Sequence, residues 1–476
     1  MDTKRLTAAL DKALQRITDE TGLVGGAIAI TKGEEVVYTY NYGYADRENK
    51  IPSSQDTLYD VASTSKAWTV MLAAQAIDEG LLEWDEPIKN HIPWFEMMDE
   101  YAGNNLSVRD AASHRSGLPS HDFMREKILG DRENLTRKLK YLDYNVGFRS
   151  KYQYNNHMFI LLGYLEEVIR GGETWETQIH ERIAKRLGIS PIFSRGTNPD
   201  LTGVEVATPY CSNGFEAKIC AHADNLYSSP CGGIRISMKN MAKWIIAMSR
   251  GGKTPDGGRL CSEKQFQEII APVIASAEED YDMIKSSTYA QGWHNADYLG
   301  KTIIFHSGGH EGFCTQVGFL KDEEVGYVMC FNTGTTPGDD VARAIVLDAI
   351  VTGDVKDSYD YLIDKWLKRR DDMVAKVKGN AEGTPITKES DPDLMGVYVH
   401  PAYEEFVIDE ADGQLRFTYG TFTAKVQREA DGSISAYKGS YDGLTPDHVK
   451  LKVVENGDLQ LYTSDTRYWL TFKKQA

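Results

Sequence analysis

The apolar positions at the start of the chain change from helical spacing to strict alternation. The first twenty residues carry apolar side chains at helical spacing, which predicts an amphipathic helix. These are Leu6, Leu10, Leu14 and Ile17. Residues 25–31 and 35–44 then read as two strands separated by the turn Lys32-Gly33. The pattern therefore predicts a helix followed by a β-hairpin.

Alternation returns near residue 300 in three runs, residues 302–306, 315–320 and 325–331. The last two flank the polar segment 321–324, which is typical of a hairpin, and a helical pattern follows over about 340–351. The intervening chain, to about Ala275, is mostly helical in pattern. One antiparallel sheet built from both ends, flanked by helices and joined by an all-helical region, accounts for this order. We therefore expect an α/β (α+β) fold.

The last quarter of the chain has a different pattern. A charged amphipathic helix is predicted over residues 359–377, and residues 379–392 are polar and resemble a linker. Short alternating runs separated by Asp-Gly and Asn-Gly turns then predict a small all-β barrel. The runs are Glu405–Ile408, Gln414–Phe417, Ala424–Gln427, Val449–Val453 and Leu459–Tyr462. The predicted units are residues 1–352, a helix and linker over 353–392, and a barrel domain over 393–476.

Charge and composition narrow the function classes. The chain of 476 residues has 53 Lys and Arg against 70 Asp and Glu, a net charge of −17. This excess of negative charge disfavours binding to nucleic acid or to anionic membrane surfaces. The N-terminus lacks the apolar core of a signal peptide, and no segment is long and apolar enough to span a bilayer. We expect a soluble, cytoplasmic protein.

The six cysteines are dilute and do not follow a zinc-ligand spacing. In a chain with no secretory signal they are expected to be reduced structural thiols, with a Cys211–Cys220 disulfide as a minor alternative. His310-Glu311 lacks the second histidine of a His-Glu-x-x-His zinc site and is interpreted as a turn at a cleft rim. We expect neither a metal nor a cofactor.

The first candidate for chemistry is Ser63-Thr64-Ser65-Lys66, at the start of an apolar helical run. The spacing places Ser63 and Lys66 on one helix face, where an amine of depressed pKa can take the proton of a serine nucleophile. A solvated Ser–Lys pair on an exposed helix is the ordinary alternative for an isolated match. Ser65 is a rival nucleophile by composition, although it lies off the Lys66 face.

The second candidate is Tyr154-Asn155-Asn156, ahead of an apolar helix over 158–169. A phenol can relay a proton and an amide can orient a substrate carbonyl, if both point into a cleft. The alternative is a loop in which Asn155 or Asn156 caps the helix.

The third candidate is His306-Ser307-Gly308-Gly309, at the end of a predicted strand. Paired glycines let a substrate approach the strand edge, where the N–H of Gly309 is available to an oxyanion. The alternative is a β-bulge or a tight turn.

The order of these three motifs resembles that of the serine β-lactamase and penicillin-binding-protein superfamily. The tyrosine form of the second motif is similar to the class C branch, which includes D-aminopeptidases, D-amino-acid amidases, esterases and acyltransferases. Two phrases support the resemblance, residues 106–119 and Cys231-Gly232-Gly233-Ile234. It covers about residues 8–350. The segment from about 394 resembles the lipocalin-like domain attached to some of these hydrolases and to penicillin-binding-protein-type thioesterases.

The resemblance implies a role for each motif residue. Ser63 is the acylated nucleophile, Lys66 and Tyr154 share its proton, Asn156 holds the substrate amide, and the N–H groups of Ser63 and Gly309, beside Gly308, form the oxyanion hole. His306 stands where many β-lactamases have lysine. Because histidine is mostly neutral at pH 7, it is a poorer partner for the carboxylate of a β-lactam. The resemblance therefore implies amide or ester hydrolysis rather than strong β-lactamase activity.

Three function classes follow from these observations. The first is a serine hydrolase acting on amides or esters of small molecules or short peptides, with substrates built from D-residues as one option and acyl transfer or peptide cyclisation as a variant. The second is a non-catalytic penicillin-binding or sensor protein that acylates without turnover. The third makes the barrel a small-molecule carrier, which the polar interior expected from its many charged residues disfavours. Arg416, Arg428 and Arg467 are candidates to meet a substrate carboxylate, with ordinary exposed strand charge as the alternative.

Overall fold

The computed structural model describes most of the chain. The described residues are 3–127, 130–193, 205–212, 217–220, 226–276, 284–334, 338–355, 359–380, 383–438, 448–463, 466 and 468–475.

Strands β1 to β15 lie in the first 334 residues. Their bounds are β1 Gly25–Lys32, β2 Glu35–Asp46, β3 Ile51–Pro52, β4 Leu58–Asp60, β5 Ile192–Phe193, β6 Tyr210–Ser212, β7 Ala217–Ile219, β8 Ile234–Ser237, β9 Ile274–Ala275, β10 Ile284–Tyr289, β11 His294–Tyr298, β12 Lys301–His310, β13 Phe313–Leu320, β14 Val325–Phe331 and β15 Thr333–Gly334. Over the described ranges, nine of them form an antiparallel sheet in the order β3-β2-β1-β14-β13-β12-β11-β10-β9. Two smaller sheets have the orders β4-β8-β5 and β15-β6-β7.

Helices α1 to α13 surround the large sheet and form the region beside it. Their bounds are α1 Thr3–Glu20, α2 Lys66–Asp78, α3 Glu100–Asn105, α4 Val108–Ala112, α5 Arg132–Lys138, α6 Asn156–Ile169, α7 Trp175–Gln178, α8 Lys185–Leu187, α9 Ser229–Gly232, α10 Met238–Ser249, α11 Glu263–Ile270, α12 Gly338–Thr352 and α13 Tyr359–Asn380. A π-helical turn, Ile179–Ala184, joins α7 to α8.

The central strand β1 shows how the sequence pattern creates two cores. Successive side chains of a strand point to opposite faces. Ile28 and Ile30 therefore pack with α1 and α12 on one face. Ala27 and Ala29 pack with α10 and the helical region on the other, where their small size lets α10 approach the sheet. Both faces of this strand are covered, which is why its run is almost entirely apolar.

The C-terminal part of the chain forms a closed barrel. Its strands are β16 Thr384–Pro385, β17 Gly396–His400, β18 Glu404–Ala411, β19 Gln414–Tyr419, β20 Phe422–Arg428, β21 Ile434–Tyr437, β22 His448–Val453, β23 Leu459–Tyr462 and β24 Trp469–Lys474. Strands β17 to β24 pair in sequence, β17 pairs with β24, and β20 pairs with β21, so the eight strands close on themselves. We call β17 to β24 the barrel. β16 adds to its β20.

The predicted fold class is confirmed, and the details correct the sequence analysis in two places. The segment expected to be mostly helical also contains strands β5 to β8, which have two to four residues each and are too short to show alternation. The expectation of a polar barrel interior is wrong, because aromatic and aliphatic side chains fill the interior. Phe406, Phe417, Leu461 and Phe472 are at most 1% exposed, and no Lys, Arg, Asp or Glu of the described barrel strands is buried.

The structure also bears on the expectations about disulfides and membrane-spanning helices. No disulfide joins the six cysteines, all of which lie within the described residues, so the Cys211–Cys220 alternative is wrong. Within the residues that the structure describes, no helix is both long and apolar enough to cross a lipid bilayer.

Candidate active site

The Ser63 turn connects β4 to α2. Residues Ala62–Ser65 form one 3₁₀ turn, and Ala62 before the serine has a left-handed φ of 46°. A non-glycine residue in this region costs of order 1 kcal/mol and persists only where its surroundings fix it. Here the backbone N–H of Val61 donates to the carbonyl oxygen of Ile234, which ties the turn to β8. The turn leaves Ser63 partly exposed while its neighbours are buried.

Lys66 is the first residue of α2 and is fully buried. Its Nζ donates to Ser63 Oγ at 3.1 Å, to Asn156 Oδ1 at 2.7 Å and to the carbonyl oxygen of Cys231 at 2.8 Å. Burial lowers the pKa of Lys66 to about 8, because the charged ammonium is poorly solvated there. An appreciable fraction of the amine is therefore neutral near physiological pH, with a lone pair available to the serine proton.

The two asparagines of the second motif do different things. Asn155 is the N-cap of α6, since its Oδ1 accepts from the N–H of Met158 at 3.1 Å. Asn156 instead faces Lys66, and its Nδ2 donates to Asp122 Oδ1 at 2.9 Å. The capping alternative therefore holds for Asn155, and Asn156 lies in the site.

Tyr154 contributes an aromatic wall to the site. The Lys66 Nζ lies 4.7 Å from the centre of its ring, within the range of a cation–π contact. The centre of the Tyr154 ring also lies 4.3 Å from the centre of the His114 ring. His114 accepts at Nδ1 from the N–H of Asn155 at 3.1 Å, and burial lowers its pKa well below the usual value.

His306 is buried in the regular strand β12, so the bulge or turn alternative is wrong. Its Nδ1 lies 2.5 Å from the carbonyl oxygen of Ser307, which can only accept, so Nδ1 carries the proton. Its Nε2 then accepts from the hydroxyl of Tyr289 at 2.9 Å. Burial, followed by the charge of His294 and Lys66, lowers the pKa of His306 well below its usual value. The imidazole is therefore neutral, and its ring centre lies 6.3 Å from that of Tyr154.

The glycines after His306 bring the edge of β12 against the Ser63 turn. Pairing between β11 and β12 extends to Phe305, whereas pairing with β13 continues to His310. A Cβ on Gly308 would lie 2.5 Å from the carbonyl oxygen of Val61 and 3.2 Å from the backbone nitrogen of Ser63. The close approach of β12 to the Ser63 turn therefore requires glycine at position 308. A Cβ on Gly309 would meet no atom within 4 Å, so open space adjoins this position.

Ser65, the rival nucleophile, lies outside the chemistry, and three tryptophans of the same domain are buried in its core. Ser65 is buried and its Oγ accepts from the N–H of Ile234 at 3.2 Å, a structural bond. Trp68 and Trp244 stack in the core with ring centres 4.2 Å apart, and Trp293 packs edge-on against Phe319.

The barrel arginines have local partners. Arg416 pairs with Asp409 at 2.7 Å and Arg428 with Asp391 at 2.8 Å, in keeping with exposed strand charge. Arg467 lies outside the described residues. Among the residues that the structure describes, no group of three or more His, Cys, Asp or Glu side chains has the arrangement of a metal site, and His310-Glu311 ends β12 and begins the turn to β13.

Sequence reasoning missed Asp122 and Tyr289. Asp122 holds the Asn156 amide and also accepts from Arg125 Nη1 at 3.3 Å. Burial by the surrounding protein raises the pKa of Asp122, but the positive charge of Arg125 and the hydrogen bond from Asn156 outweigh this effect and lower the pKa. Tyr289 lies in a polar run with no motif around it, so no local signal marks it. His114 and Cys231 were within the quoted accessory phrases, but without an assigned contact.

Comparison with known proteins now decides the family. The family model described as Beta-lactamase matches residues 10–351, well over half of the chain. The chain belongs to the Beta-lactamase family. The match ends where α12 ends, before α13 and the barrel.

Relatives of this Beta-lactamase family member include an unguisins hydrolase of Aspergillus campestris. It is 25% identical over 425 residues, which cover 83% of this chain and 76% of the relative. Among solved structures, the octameric penicillin-binding protein homologue of Pyrococcus abyssi has a TM-score of 0.63 at 18% identity and covers 99% of this chain and 100% of that one. The D-amino acid amidase of Ochrobactrum anthropi SV3 has a TM-score of 0.61 at 19% identity over 73% of this chain and 99% of that one. The two structures share the fold with this chain.

Proposed function

We propose that this protein is a serine hydrolase that cleaves amide or ester bonds of small molecules or short peptides through an acyl-enzyme on Ser63. The observation that carries the proposal is the contact of Lys66 Nζ with Ser63 Oγ at 3.1 Å, made by a fully buried lysine whose pKa is lowered to about 8. A serine needs an adjacent base to act as a nucleophile, and a lysine serves only when burial makes its amine partly neutral.

The reaction follows from this geometry in two steps. Ser63 Oγ bonds to the substrate carbonyl carbon while its proton passes to Lys66 Nζ, and the oxyanion accepts from the N–H groups of Ser63 and Gly309. The bond from the carbonyl carbon to the amine or alcohol then breaks, and that leaving group takes the proton from Lys66 Nζ. The Tyr154 ring lies next to Lys66 Nζ, where this transfer takes place. Water attacks the ester on Ser63 by the same route and releases the acid. An amine in place of water gives the acyl-transfer variant.

The neutral, buried His306 supports amides and esters over β-lactams as substrates. Its Nε2 is occupied by Tyr289, so it offers no cation to a substrate carboxylate. Acyl groups of D configuration are the first to test, because a D-amino acid amidase shares the fold.

The test combines a fluorophosphonate probe with D- and L-aminoacyl anilides, followed by intact mass and product release. We expect labelling of the wild type, none of Ser63→Ala, and undiminished labelling of Ser65→Ala, which is a matched control two residues away. Labelling that persists in Ser63→Ala overturns the assignment of Ser63 as the nucleophile. An acyl adduct that never turns over on any substrate would favour the sensor class instead, and product formed only with an added amine would favour acyl transfer.

A further inference from the structure

Residues His121–Lys127 contact both the barrel and Asn156 of the active site. We call them the bridging segment. Asp122–Glu126 form a 3₁₀ turn, and His121 before it has a left-handed φ of 52°. His121 and Phe123 contact barrel residues, whereas Asp122 contacts Asn156 of the active site.

On the barrel side, His121 is fully buried between two tyrosines. The hydroxyl of Tyr468 donates to the carbonyl oxygen of Asp143 at 3.1 Å, so it accepts from His121 Nε2 at 2.9 Å. The hydroxyl of Tyr403 then donates to His121 Nδ1 at 2.8 Å. Both ring nitrogens of a neutral imidazole are thereby satisfied, which fixes the ring and its tautomer.

The rest of the bridging segment is held by the barrel in the same way. Phe123 stacks on Tyr419 at 4.9 Å between ring centres and meets Phe422 edge-on at 5.3 Å. The carbonyl oxygen of Glu126 accepts from the N–H of Thr421 at 2.8 Å. A left-handed residue such as His121 persists only when several neighbours fix it. Here Tyr403 and Tyr468 of the barrel hold its ring, and His157 Nε2 lies 3.2 Å from its carbonyl oxygen.

On the cleft side, Asp122 decides which way the Asn156 amide points. A carboxylate only accepts, so Nδ2 of Asn156 must face Asp122 and Oδ1 must face Lys66. With the amide reversed, the N–H groups of Asn156 Nδ2 would face the N–H groups of Lys66 Nζ, so donors would meet donors and no hydrogen bond could form. The contact between Asn156 and Lys66 at 2.7 Å therefore depends on where Asp122 is held.

We propose that the barrel is a positioning element of the active site: Tyr403 and Tyr468 hold His121, His121 places Asp122, and Asp122 orients the Asn156 amide toward Lys66. This inference rests on the proposed function, because it assigns the barrel a role in preparing the same base. His121, Tyr403 and Tyr468 are positioning residues, since they act through Asp122 and do not touch the reacting atoms.

The test is a double variant, Tyr403→Phe with Tyr468→Phe, in the full-length protein. It removes two hydroxyls and keeps both rings, so packing is retained. We expect the rate of Ser63 labelling by the fluorophosphonate to fall between about 10-fold and 100-fold. The pH midpoint of labelling should also move down, because Lys66 loses the acceptor that favours its ammonium form. A merely structural role would leave that midpoint in place.

The matched control is Tyr398→Phe. Tyr398 is a buried barrel tyrosine whose hydroxyl donates to the carbonyl oxygen of Leu394 at 2.9 Å, within the barrel unit and away from the bridging segment. We expect it to lower the melting temperature while labelling stays within about twofold of the wild type. Equal labelling of the double variant and wild type, or an equal loss in Tyr398→Phe, overturns the inference.

Failure of the proposed function and failure of the inference about the barrel give different results. If the wild type is not labelled at Ser63, the proposed function fails before any barrel variant is measured. If the double variant does not fold, the single variant Tyr468→Phe takes its place, because this ring is only half-buried. The same fall in rate and in pH midpoint is expected of it, and an unchanged profile overturns the inference equally.

Discussion

At the scale of single residues, burial converts an ordinary lysine into a base. Lys66 has three acceptors around its Nζ, yet its surroundings hold no carboxylate in direct contact with that nitrogen among the described bonds. The amide of Asn156 and the carbonyl of Cys231 orient the amine without the full stabilisation that a carboxylate gives to an ammonium. Orientation and basicity are thereby supplied by different features of the site.

The first prediction concerns the pH dependence of acylation. Because the neutral amine is the base and the pKa of Lys66 is lowered to about 8, the rate of Ser63 labelling should rise as the pH increases from 6 to 9, with a midpoint near 8. Rates of fluorophosphonate labelling across this range measure it. A profile that is flat from pH 6 to 9 would contradict the role of Lys66, and Lys66→Ala should lose the rise altogether.

The second prediction concerns Gly308. In Gly308→Ala the new methyl group would lie 2.5 Å from the carbonyl oxygen of Val61, so β12 and the Ser63 turn must separate. We expect activity to fall by about 100-fold, as when an oxyanion donor is lost, together with a lower melting temperature. Gly309→Ala is the control for stability, because its Cβ enters open space and its melting temperature should be that of the wild type. Similar melting temperatures for both variants would contradict this account.

The sequence marks residues that belong to motifs and misses residues that reach the site only through the fold. Ser63 and Lys66 are three apart on one turn, so their contact is local and predictable. Tyr289 meets His306 because β10, β11 and β12 lie side by side, and Asp122 meets Asn156 because the bridging segment crosses the start of α6. Neither contact has a local periodicity, and both depend on which elements become neighbours.

At the scale of elements, the start of α6 separates stability from chemistry in two adjacent residues. Asn155 caps the helix and its Nδ2 donates to the carbonyl oxygen of Pro119 at 2.5 Å, whereas Asn156 contacts Lys66. The non-helical backbone of the N-cap turns the two side chains in different directions.

The third prediction uses this pair. Asn155→Ala should lower the free energy of unfolding by about 1–3 kcal/mol, because a helix cap and a buried acceptor lose their partners, while Ser63 labelling per folded molecule is retained. Asn156→Ala should lower the labelling rate at least about tenfold. Chemical denaturation and labelling of the same samples measure both. The assignment fails if the two variants show the same profile.

The same scale explains which elements were predictable. Strands β1, β2, β13 and β14 have strong alternation or continuous apolar runs, and the sequence predicts them well. Strands β10 and β11 are polar and lie toward the edge of the sheet, so their sequences, Ile-Lys-Ser-Ser-Thr-Tyr and His-Asn-Ala-Asp-Tyr, carry little pattern. Their pairing is imposed by the neighbouring strand rather than by their own periodicity.

At the scale of the whole molecule, neutral histidines lie where the barrel meets the helical region. Burial lowers the pKa of His121 to about 3 and that of His400, next to Tyr403 in the barrel, to about 4. In the unfolded chain these groups take up protons near their ordinary value of about 6.5. Below that pH the unfolded state binds more protons than the folded one.

The fourth prediction follows from this difference. Stability should fall as the pH decreases from about 6.5 toward 4, and each such histidine contributes a slope of about 1.4 kcal/mol per pH unit. His121→Asn should be less stable at pH 7, because the bonds to Tyr403 and Tyr468 are altered, yet should show a shallower loss between pH 6 and 4. Denaturation curves over this range measure the slope. An equal slope in wild type and variant would contradict the assignment.

The position of β1 in the sheet has a consequence for synthesis of the chain. Gly26 pairs with Phe331, about 300 residues later, while β2 follows β1 directly. At about 5–20 residues per second, the hairpin waits roughly 15–60 s for β14 to leave the ribosome. During that time the apolar run Gly-Gly-Ala-Ile-Ala-Ile has one edge without its strand. The nascent hairpin therefore has an unpaired strand edge for most of the translation of the chain, and during that time this edge is open to pairing with other chains.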